Sequence, residues 1–304
     1  MTLVDVVVVS FNSRATLRAC VEPLARLAEV EVIVVDNASP DQTLTVVADL
    51  PIRAIPLTTN AGFAHGCNVG IGCGEAPYVL LLNPDAEIAE AAIQKLVCVL
   101  EEHPETGAVA PRIVDRNGHL DFSLRRFPRL RSTFAQAVFL HRVFPRASWT
   151  DELVRDEEEY ARPGSPEWVS GACLLLRRSA LEHLGGLDDG FFMYSEDVDL
   201  CKRLRDEGFG LRFEPAATVV HEGGASAPRS ALLPVLAASK IRYARKHRGR
   251  MYAASERIGV GLGALAHMVV SRGGISQRVG HARSLRAAFS PIPREPSSRT
   301  ARRA

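Results

Sequence analysis

The sequence predicts an α/β fold built on a doubly wound sheet flanked by helices, followed by basic C-terminal helices. Two observations carry this prediction. Short apolar runs alternate with helical patterns over the first 110 residues, and the runs are continuous, as parallel strands buried on both faces require. Small polar residues then follow three of the runs directly, in the place where such a sheet binds ligands, beyond the carboxyl ends of its strands.

Val4–Val9 reads as the first strand and Arg14–Leu27 as the helix after it. Val30–Val35 is the second strand, and Pro40 and Asp41 open a helix over Gln42–Ala48. Ile52–Ile55 and Tyr78–Leu82 are strands separated by a helix over Ala64–Cys73. Glu90–Glu102 is helical, with Glu90 a favourable charge in its first turn, and Ala108–Ala110 is a strand. Repeated β-α-β units with right-handed crossovers wind such a sheet from both sides. Residues 112–165 are less regular and hold Arg125-Arg126-Phe127-Pro128 and the acidic run Asp151–Glu159. Regular structure resumes with a strand at Trp168–Leu176, a short helix near Ser179–Leu184, a helix from Glu196 through Glu207, and strands at Leu211–Phe213 and Thr218–Val220. From Pro228 the pattern is helical and basic, and a disordered tail is expected from Ser290. The division expected is a catalytic unit over 1–228, with halves of about 1–112 and 113–228, then helices over 229–289 and a tail over 290–304.

With 304 residues, 46% hydrophobic and 24% charged, the chain can form an ordinary core, which excludes collagen-like structure and general disorder. Aromatics at 6% do not favour base-stacking platforms, so no nucleic-acid partner is expected. The net charge of +2 hides an asymmetry: Lys240–Ala304 carries 15 Lys and Arg against Glu256 and Glu295, a net +13, leaving −11 on residues 1–239. Six scattered cysteines without a C-x-x-C pair suit a reducing compartment and argue against structural zinc. The first residues lack a cationic region and carry Asp5, unlike a signal peptide. The apolar stretch Ile258–Val270 is too short to span a bilayer. A cytoplasmic protein is expected, with peripheral contact to anionic membrane through the amphipathic segment Leu232–Val270 and the basic tail. A solvated tail with a helix pair that forms a homodimer is the competing expectation.

Several motifs carry candidate chemistry, each beside a plainer explanation. The stretch Asn60–Gly70 opens a helix but is neither G-x-G-x-x-G after the first strand nor a P-loop. Its Gly66 and Gly70 suit close helix packing, whereas Asn60 and Asn68 have amides able to read a ribose or to position an acidic neighbour. Asp36 ends a strand ahead of Ser39-Pro40: Asp36 or Ser39 can cap the next turn, or the Asp36 carboxylate can accept from a ribose or base. Asn83-Pro84-Asp85 is a turn, or a site for Mg²⁺ or Mn²⁺ with a diphosphate supplying further oxygens. Glu196, Asp197 and Asp199 complement the dipole of a helix start, or supply a general base after the aromatic run Phe191–Tyr194. His221 follows a strand and precedes Gly223-Gly224; alone it is weak evidence.

Together, in this order, these pieces closely resemble bacterial family 2 glycosyltransferases of the GT-A fold, in particular their rhamnosyltransferase-like branch, over roughly residues 3–225. The resemblance implies a GT-A-type mixed sheet joining a nucleotide-binding half to an acceptor-binding half, and transfer of a sugar from a nucleotide-diphosphate donor to a hydroxyl of a glycan or glycolipid acceptor with inversion. It places Ser10, Asn12 and Asp36 at nucleotide recognition, Asn60 and Asn68 at the donor pocket, and Asn83-Pro84-Asp85 at the family's D-x-D, with Asp85 on the metal-binding carboxylate. Asn83 departs from that motif's first Asp. His221 matches a further metal-ligand position, and Glu196-Asp197 matches an E-D motif whose Asp is the base. The implied donor is dTDP-L-rhamnose and the acceptor a polyprenyl-diphosphate-linked glycan of cell-wall or surface polysaccharide. A UDP-hexose donor, a nucleotidyltransferase and a non-catalytic nucleotide-sugar-binding protein are the alternatives; the last two sit poorly with Asp85, Asp197 and His221 and with the absence of a basic Gly-rich N-terminal signature.

Overall fold

The computed structural model describes residues 2–223, 228–270 and 274–291. Its strands are β1 (Val4–Ser10), β2 (Val30–Asp36), β3 (Arg53–Pro56), β4 (Tyr78–Leu82), β5 (Ala86–Ile88), β6 (Thr106–Val114), β7 (Leu124–Arg125), β8 (Trp168–Val169), β9 (Cys173–Arg177) and β10 (Gly210–His221). Its helices are α1 (Leu17–Val21), α2 (Phe63–Cys73), α3 (Glu90–Glu102), α4 (Leu130–Ala137), α5 (Leu140–Val143), α6 (Arg178–Leu184), α7 (Glu196–Asp206), α8 (Arg229–Arg248), α9 (Arg250–Val270) and α10 (Gly274–Phe289). Eight strands form one mixed sheet in the order β3-β2-β1-β4-β9-β6-β10-β5, and β7 pairs with β8 beside it.

Continuous apolar strands feed two cores at once. Val6, Val8, Val34, Leu80 and Leu82 face one side with Leu96 and Leu100 of α3. Their neighbours Val7, Val9, Val79 and Leu81 face the other with Cys67 of α2, Phe191 and Leu200 of α7. Alternate residues of a strand point to opposite faces, so a sheet covered on both sides needs no polar alternation. One charge lies within β1: Asp5, fully buried, accepts from Ala76 N–H at 2.9 Å and Arg178 at 2.6 Å.

Register places the polar residues. β1 and β2 run parallel from Val4↔Val30 to Ser10↔Asp36, and β4 lies parallel on the other side of β1 with Leu82 opposite Val8. Ser10, Asp36 and Asn83 therefore emerge at one edge. The start of β9 arrives at the same edge because it is antiparallel to β4, with Cys173 opposite Leu82. β10 is antiparallel to β5, with His221 opposite Ala86, which carries His221 back beside Asp85.

Several elements differ from expectation for local reasons. The helix expected over Arg14–Leu27 stops at Val21, since Pro23 has no N–H to continue it, and resumes as a short 3-10 turn at Leu24–Arg26. Gln42–Ala48 is likewise a 3-10 turn, at Thr43–Val47. The strand Trp168–Leu176 breaks at Ser170-Gly171-Ala172, where the chain leaves β8 and enters the large sheet as β9. The strands expected at Leu211–Phe213 and Thr218–Val220 are one strand, β10, whose register on β6 shifts between Glu214 and Thr218, around Pro215. Of the tail expected over 290–304, residues 292–304 lie outside the described residues.

Helices α8, α9 and α10 pack on one another, and α9 also packs on α4. Tyr243 of α8 is buried in the second core. Lys246 and His247, at the end of α8, each reach Asp199 of α7 at 2.7 Å. Gly249 then turns the chain in the left-handed region, φ +86°, and α9 starts. All six cysteines are free thiols.

Candidate active site

At the edge formed by β1 and β2, Asp36 is 6% exposed and gathers three donors. Its carboxylate accepts from Ser10 Oγ at 2.9 Å, from Ser39 Oγ, and from Ser39 N–H at 3.0 Å. A carboxylate has about four lone-pair positions, so this turn leaves capacity for one more donor. The capping and ligand-binding explanations of Asp36 are thus compatible. Asn12 takes φ +55° and Ala38 φ +59°, and Asn12 N–H donates to Ser39 Oγ at 3.0 Å. Two strands ending in tight left-handed turns open a cradle above Asp36.

Asn60 Oδ1 accepts from Gly62 N–H at 3.1 Å in the turn that opens α2. Gly62 has φ +97°, and a Cβ there would lie 2.3 Å from the carbonyl oxygen of Phe192. Phe63 N–H donates to that same carbonyl at 2.7 Å. Only glycine allows this approach, and it pins the start of α2 to the loop before α7. Asn68 is engaged at both ends of its amide: Oδ1 accepts from Leu187 N–H at 2.9 Å, and Nδ2 donates to Leu187 O at 2.8 Å and to Asp189. It braces the loop around Asp188 against α2, and His65 contacts the same Asp189 at 3.2 Å.

Asn83, Asp85 and His221 form a second cluster. His221 Nε2 lies 3.2 Å from Asp85 Oδ1 and 3.2 Å from Asn83 Nδ2, while His221 Nδ1 is buried with no partner among the described residues. Burial acts to raise the Asp85 carboxyl, but the hydrogen bond and charge of His221, with backbone N–H groups, hold it below the usual carboxylate range. An anionic oxygen and an imidazole nitrogen at this separation match neighbouring ligands of an octahedral cation, which lie about 3 Å apart when each bond is about 2.1 Å. Among the described residues no three His, Cys, Asp or Glu gather as a complete metal site. The pair fits a cation whose remaining ligands come from a diphosphate and water.

The three acids at the start of α7 have separate surroundings. Tyr194 and Ser195 both take φ +66°, an uncommon run for non-glycine residues, and this turn sets the direction of α7. Glu196 is 7% exposed and its Oε2 is buried with no partner among the described residues; burial first, then the charge of Asp197, pushes its carboxyl well above the usual range. Asp197 is half-buried, and its carboxylate accepts from Val198 N–H at 2.8 Å and Gly171 N–H at 3.2 Å. Burial raises it, and these backbone donors and Arg125 only partly offset that. Asp199 points away from this pair and is fully buried among Arg203, Lys246 and His247 at 2.7–2.8 Å. Burial acts to raise it, yet the His247 hydrogen bond and the nearby cations bring it down to about 2. Asp199 is therefore a structural anchor.

Sequence reading singled out Ser39 beside Asp36 as a possible cap, but did not find the Phe192 carbonyl, the Gly171 N–H or the Lys246–His247 anchor. The spacing of Asp199 and Arg203 was the one readable signal, since residues four apart meet on a helix.

The family model for glycosyl transferase family 2 matches residues 5–185. The chain belongs to that family. It is 32% identical over 266 residues, 81% of this chain and 86% of the relative, to N-acetylglucosaminyl-diphospho-decaprenol L-rhamnosyltransferase of Mycobacterium tuberculosis H37Rv. It is 26% identical over 171 residues to Rhamnosyltransferase WbbL of Escherichia coli K12, covering 53% of this chain and 60% of the relative. Among solved structures, a mannosyltransferase from Pyrobaculum calidifontis in complex with GDP-Man and Mn²⁺ superposes with a TM-score of 0.54 at 18% identity, over 94% of this chain and 85% of that one. TarS 1-349 of S. aureus gives 0.52 at 15% identity, over 94% and 89%. The GT-A fold expected for a family 2 glycosyltransferase is the one found, and membership makes the chain a nucleotide-sugar-dependent transferase. This sets aside the nucleotidyltransferase and the non-catalytic binding protein.

Proposed function

We propose that the chain moves L-rhamnose from dTDP-L-rhamnose to a hydroxyl of a polyprenyl-diphosphate-linked glycan, with inversion, in cell-wall or surface-polysaccharide synthesis, working in peripheral contact with the membrane that holds its acceptor. The observation that carries the reading is one sheet edge that presents the Asp36 cradle, the Asp85–His221 pair and, at the β9 start, Gly171 bonded to Asp197. The sugar and acceptor are supported by the identity to the mycobacterial rhamnosyltransferase.

In this reading Asp36 and Asn12 bind the nucleoside, while Ser10, fully buried with its hydroxyl on Asp36, positions that carboxylate and does not reach the ligand as the sequence suggested; Asn60 and Asn68 keep the pocket wall in place through the two loops they brace. Asp85 and His221 would hold Mg²⁺ or Mn²⁺, with Asn83 beside them, and the cation when bound offsets negative charge on the departing diphosphate. Asp197 removes the proton from the acceptor hydroxyl as its oxygen attacks the anomeric carbon on the face opposite the leaving group. Burial moves this carboxyl toward the operating pH, which makes it a more effective base than a solvated one. Glu196, more deeply buried beside it and pushed up by burial and by the Asp197 charge, orients the acceptor with a hydrogen bond.

Purified protein incubated with dTDP-rhamnose, UDP-glucose, UDP-GlcNAc or GDP-mannose and a polyprenyl-diphosphate GlcNAc acceptor tests this by product mass. A deoxyhexose increment with dTDP-rhamnose alone is the expected result. A hexose increment with another donor overturns the sugar assignment.

A further inference from the structure

Helix α9 carries an apolar stripe that nothing among the described residues covers. Ile258 is 52% exposed, Leu262 47%, Leu265 41% and Val269 76%, and Met251 at the helix start is 88% exposed. Their spacing is four, three and four residues, the repeat that keeps side chains on one face at about 3.6 residues per turn.

Three glycines show where this stripe points. A Cβ on Gly261 would lie 2.8 Å from the Phe289 ring, so that side of α9 faces α10. A Cβ on Gly259 would lie 2.8 Å from Thr133, and one on Gly263 3.5 Å from Ala137, so another side faces α4. On the helix circumference the stripe falls between those two contacts, outward. Phe289 borders it on one side and is 60% exposed; Val138, next to Ala137, is 63% exposed on the other.

The charge around the stripe has one sign. Arg245, Arg248 and Arg250 are exposed where α8 turns into α9, and Arg278, Arg283 and Arg286 are exposed along α10. Among the described residues from 240 to 291 the one acid is Glu256, and it is buried, accepting from Thr133 Oγ1 at 2.8 Å. No helix among the described residues is long and apolar enough to cross a membrane. An apolar face with a rim of arginines and no exposed acid matches a helix lying in the surface of an anionic bilayer.

We infer that α9, flanked by α10, is an interfacial face that seats this enzyme on anionic lipid, with Ile258, Leu262, Leu265 and Val269 entering the headgroup boundary. The inference names the surface for the membrane contact in the proposed function and rests on that reading only for its purpose, since vesicle binding is read without donor or acceptor. The full-length chain is sedimented with phosphatidylcholine vesicles and with phosphatidylcholine–phosphatidylglycerol vesicles. It is expected to pellet with the anionic vesicles alone, and the double variant Leu262→Glu, Leu265→Glu to bind about ten-fold less or weaker. Arg283→Glu with Arg286→Glu should weaken binding by a similar factor and flatten its salt dependence. Unchanged dTDP binding by calorimetry shows that each variant is folded. Wild type left in the supernatant of anionic vesicles, or a leucine variant that binds like wild type, overturns the inference. So does a wild-type dimer in sedimentation velocity that the leucine variant converts to a monomer, because a second copy then covers the stripe. Vesicle binding without rhamnosyl transfer would leave the surface standing and remove the sugar assignment.

Discussion

Replacing Asp197 by Asn separates the base from its helix-start explanation, and the structure says what the change costs. The Asp197 carboxylate accepts from two backbone donors, Val198 N–H and Gly171 N–H. An amide offers one oxygen, so its NH₂ must face one of these donors. A donor left unsatisfied in a partly buried place costs about 1–3 kcal/mol, a Tm lower by a few degrees. Loss of a general base costs roughly 10²-fold or more in turnover. The two effects are separable: Asp197→Asn should stay folded at assay temperature, bind donor nucleotide normally, and lose about 10²-fold in kcat. Glu196→Gln is the companion. Glu196 is the more deeply buried of the two, and burial with the neighbouring Asp197 charge favours its protonated form, which a glutamine copies. Its turnover at neutral pH should stay within several-fold of wild type. The pH profile carries the sign: the base must be ionised, so kcat/KM falls by about ten-fold per pH unit as pH drops below a midpoint above the ordinary carboxylate range. Near-normal turnover of folded Asp197→Asn, with a large loss in Glu196→Gln, would reverse the roles and refute the assignment.

Asp85→Ala should abolish transfer and weaken Mn²⁺ binding in the presence of dTDP, followed by calorimetry; full activity of that variant in chelator would remove Asp85 and His221 as ligands. Asp199→Asn should cost about 3 kcal/mol in urea unfolding, because it removes the buried charge that Arg203 and Lys246 pair with, leaving Lys246 on Asp188 and Arg203 on the Leu184 and Gly186 carbonyls; an unchanged midpoint would contradict the anchor. Since the Asp199 carboxyl is lowered to about 2, its contribution is present above the ordinary Asp pKa and is lost as pH falls from about 4 through 2, roughly 2 kcal/mol read from acid unfolding of wild type but not of the variant. Gly62→Ala places a methyl against the Phe192 carbonyl at φ +97° and should cost ~1–3 kcal/mol and raise the KM for donor; a variant with wild-type stability and KM would show that the loop is free to move away.

The strands of the nucleotide-binding side were legible because parallel strands buried on both faces leave continuous apolar runs, and Val4–Val9 and Tyr78–Leu82 lie within one residue of β1 and β4. The polar residues after them were legible for the same reason: register alone brings Ser10, Asp36 and Asn83 to one edge. What sequence could not give was the return path of β10. His221 lies 136 residues after Asp85, and only the antiparallel pairing of β10 with β5 makes them neighbours. Asn68 shows the opposite case, a residue whose chemistry suited a ligand but whose amide is taken up by Leu187.

The three acids of α7 carry the same lesson into mechanism. Glu196, Asp197 and Asp199 share a helical turn and a charge, so composition and spacing assign them one role. Their environments assign three: a buried carboxyl with one oxygen unpartnered among the described residues, a half-buried one held by two backbone donors, and one paired with Arg203 and Lys246 and bonded to His247. The last of these joins the chemistry to the C-terminal helices. Asp199 is two residues from the proposed base, Lys246 and His247 hold it, and α9 with its apolar stripe starts at Arg250, directly after Gly249. A surface that seats α9 on lipid would therefore fix the orientation of α7 through a short, charged joint, and so present Asp197 to an acceptor anchored in that same lipid.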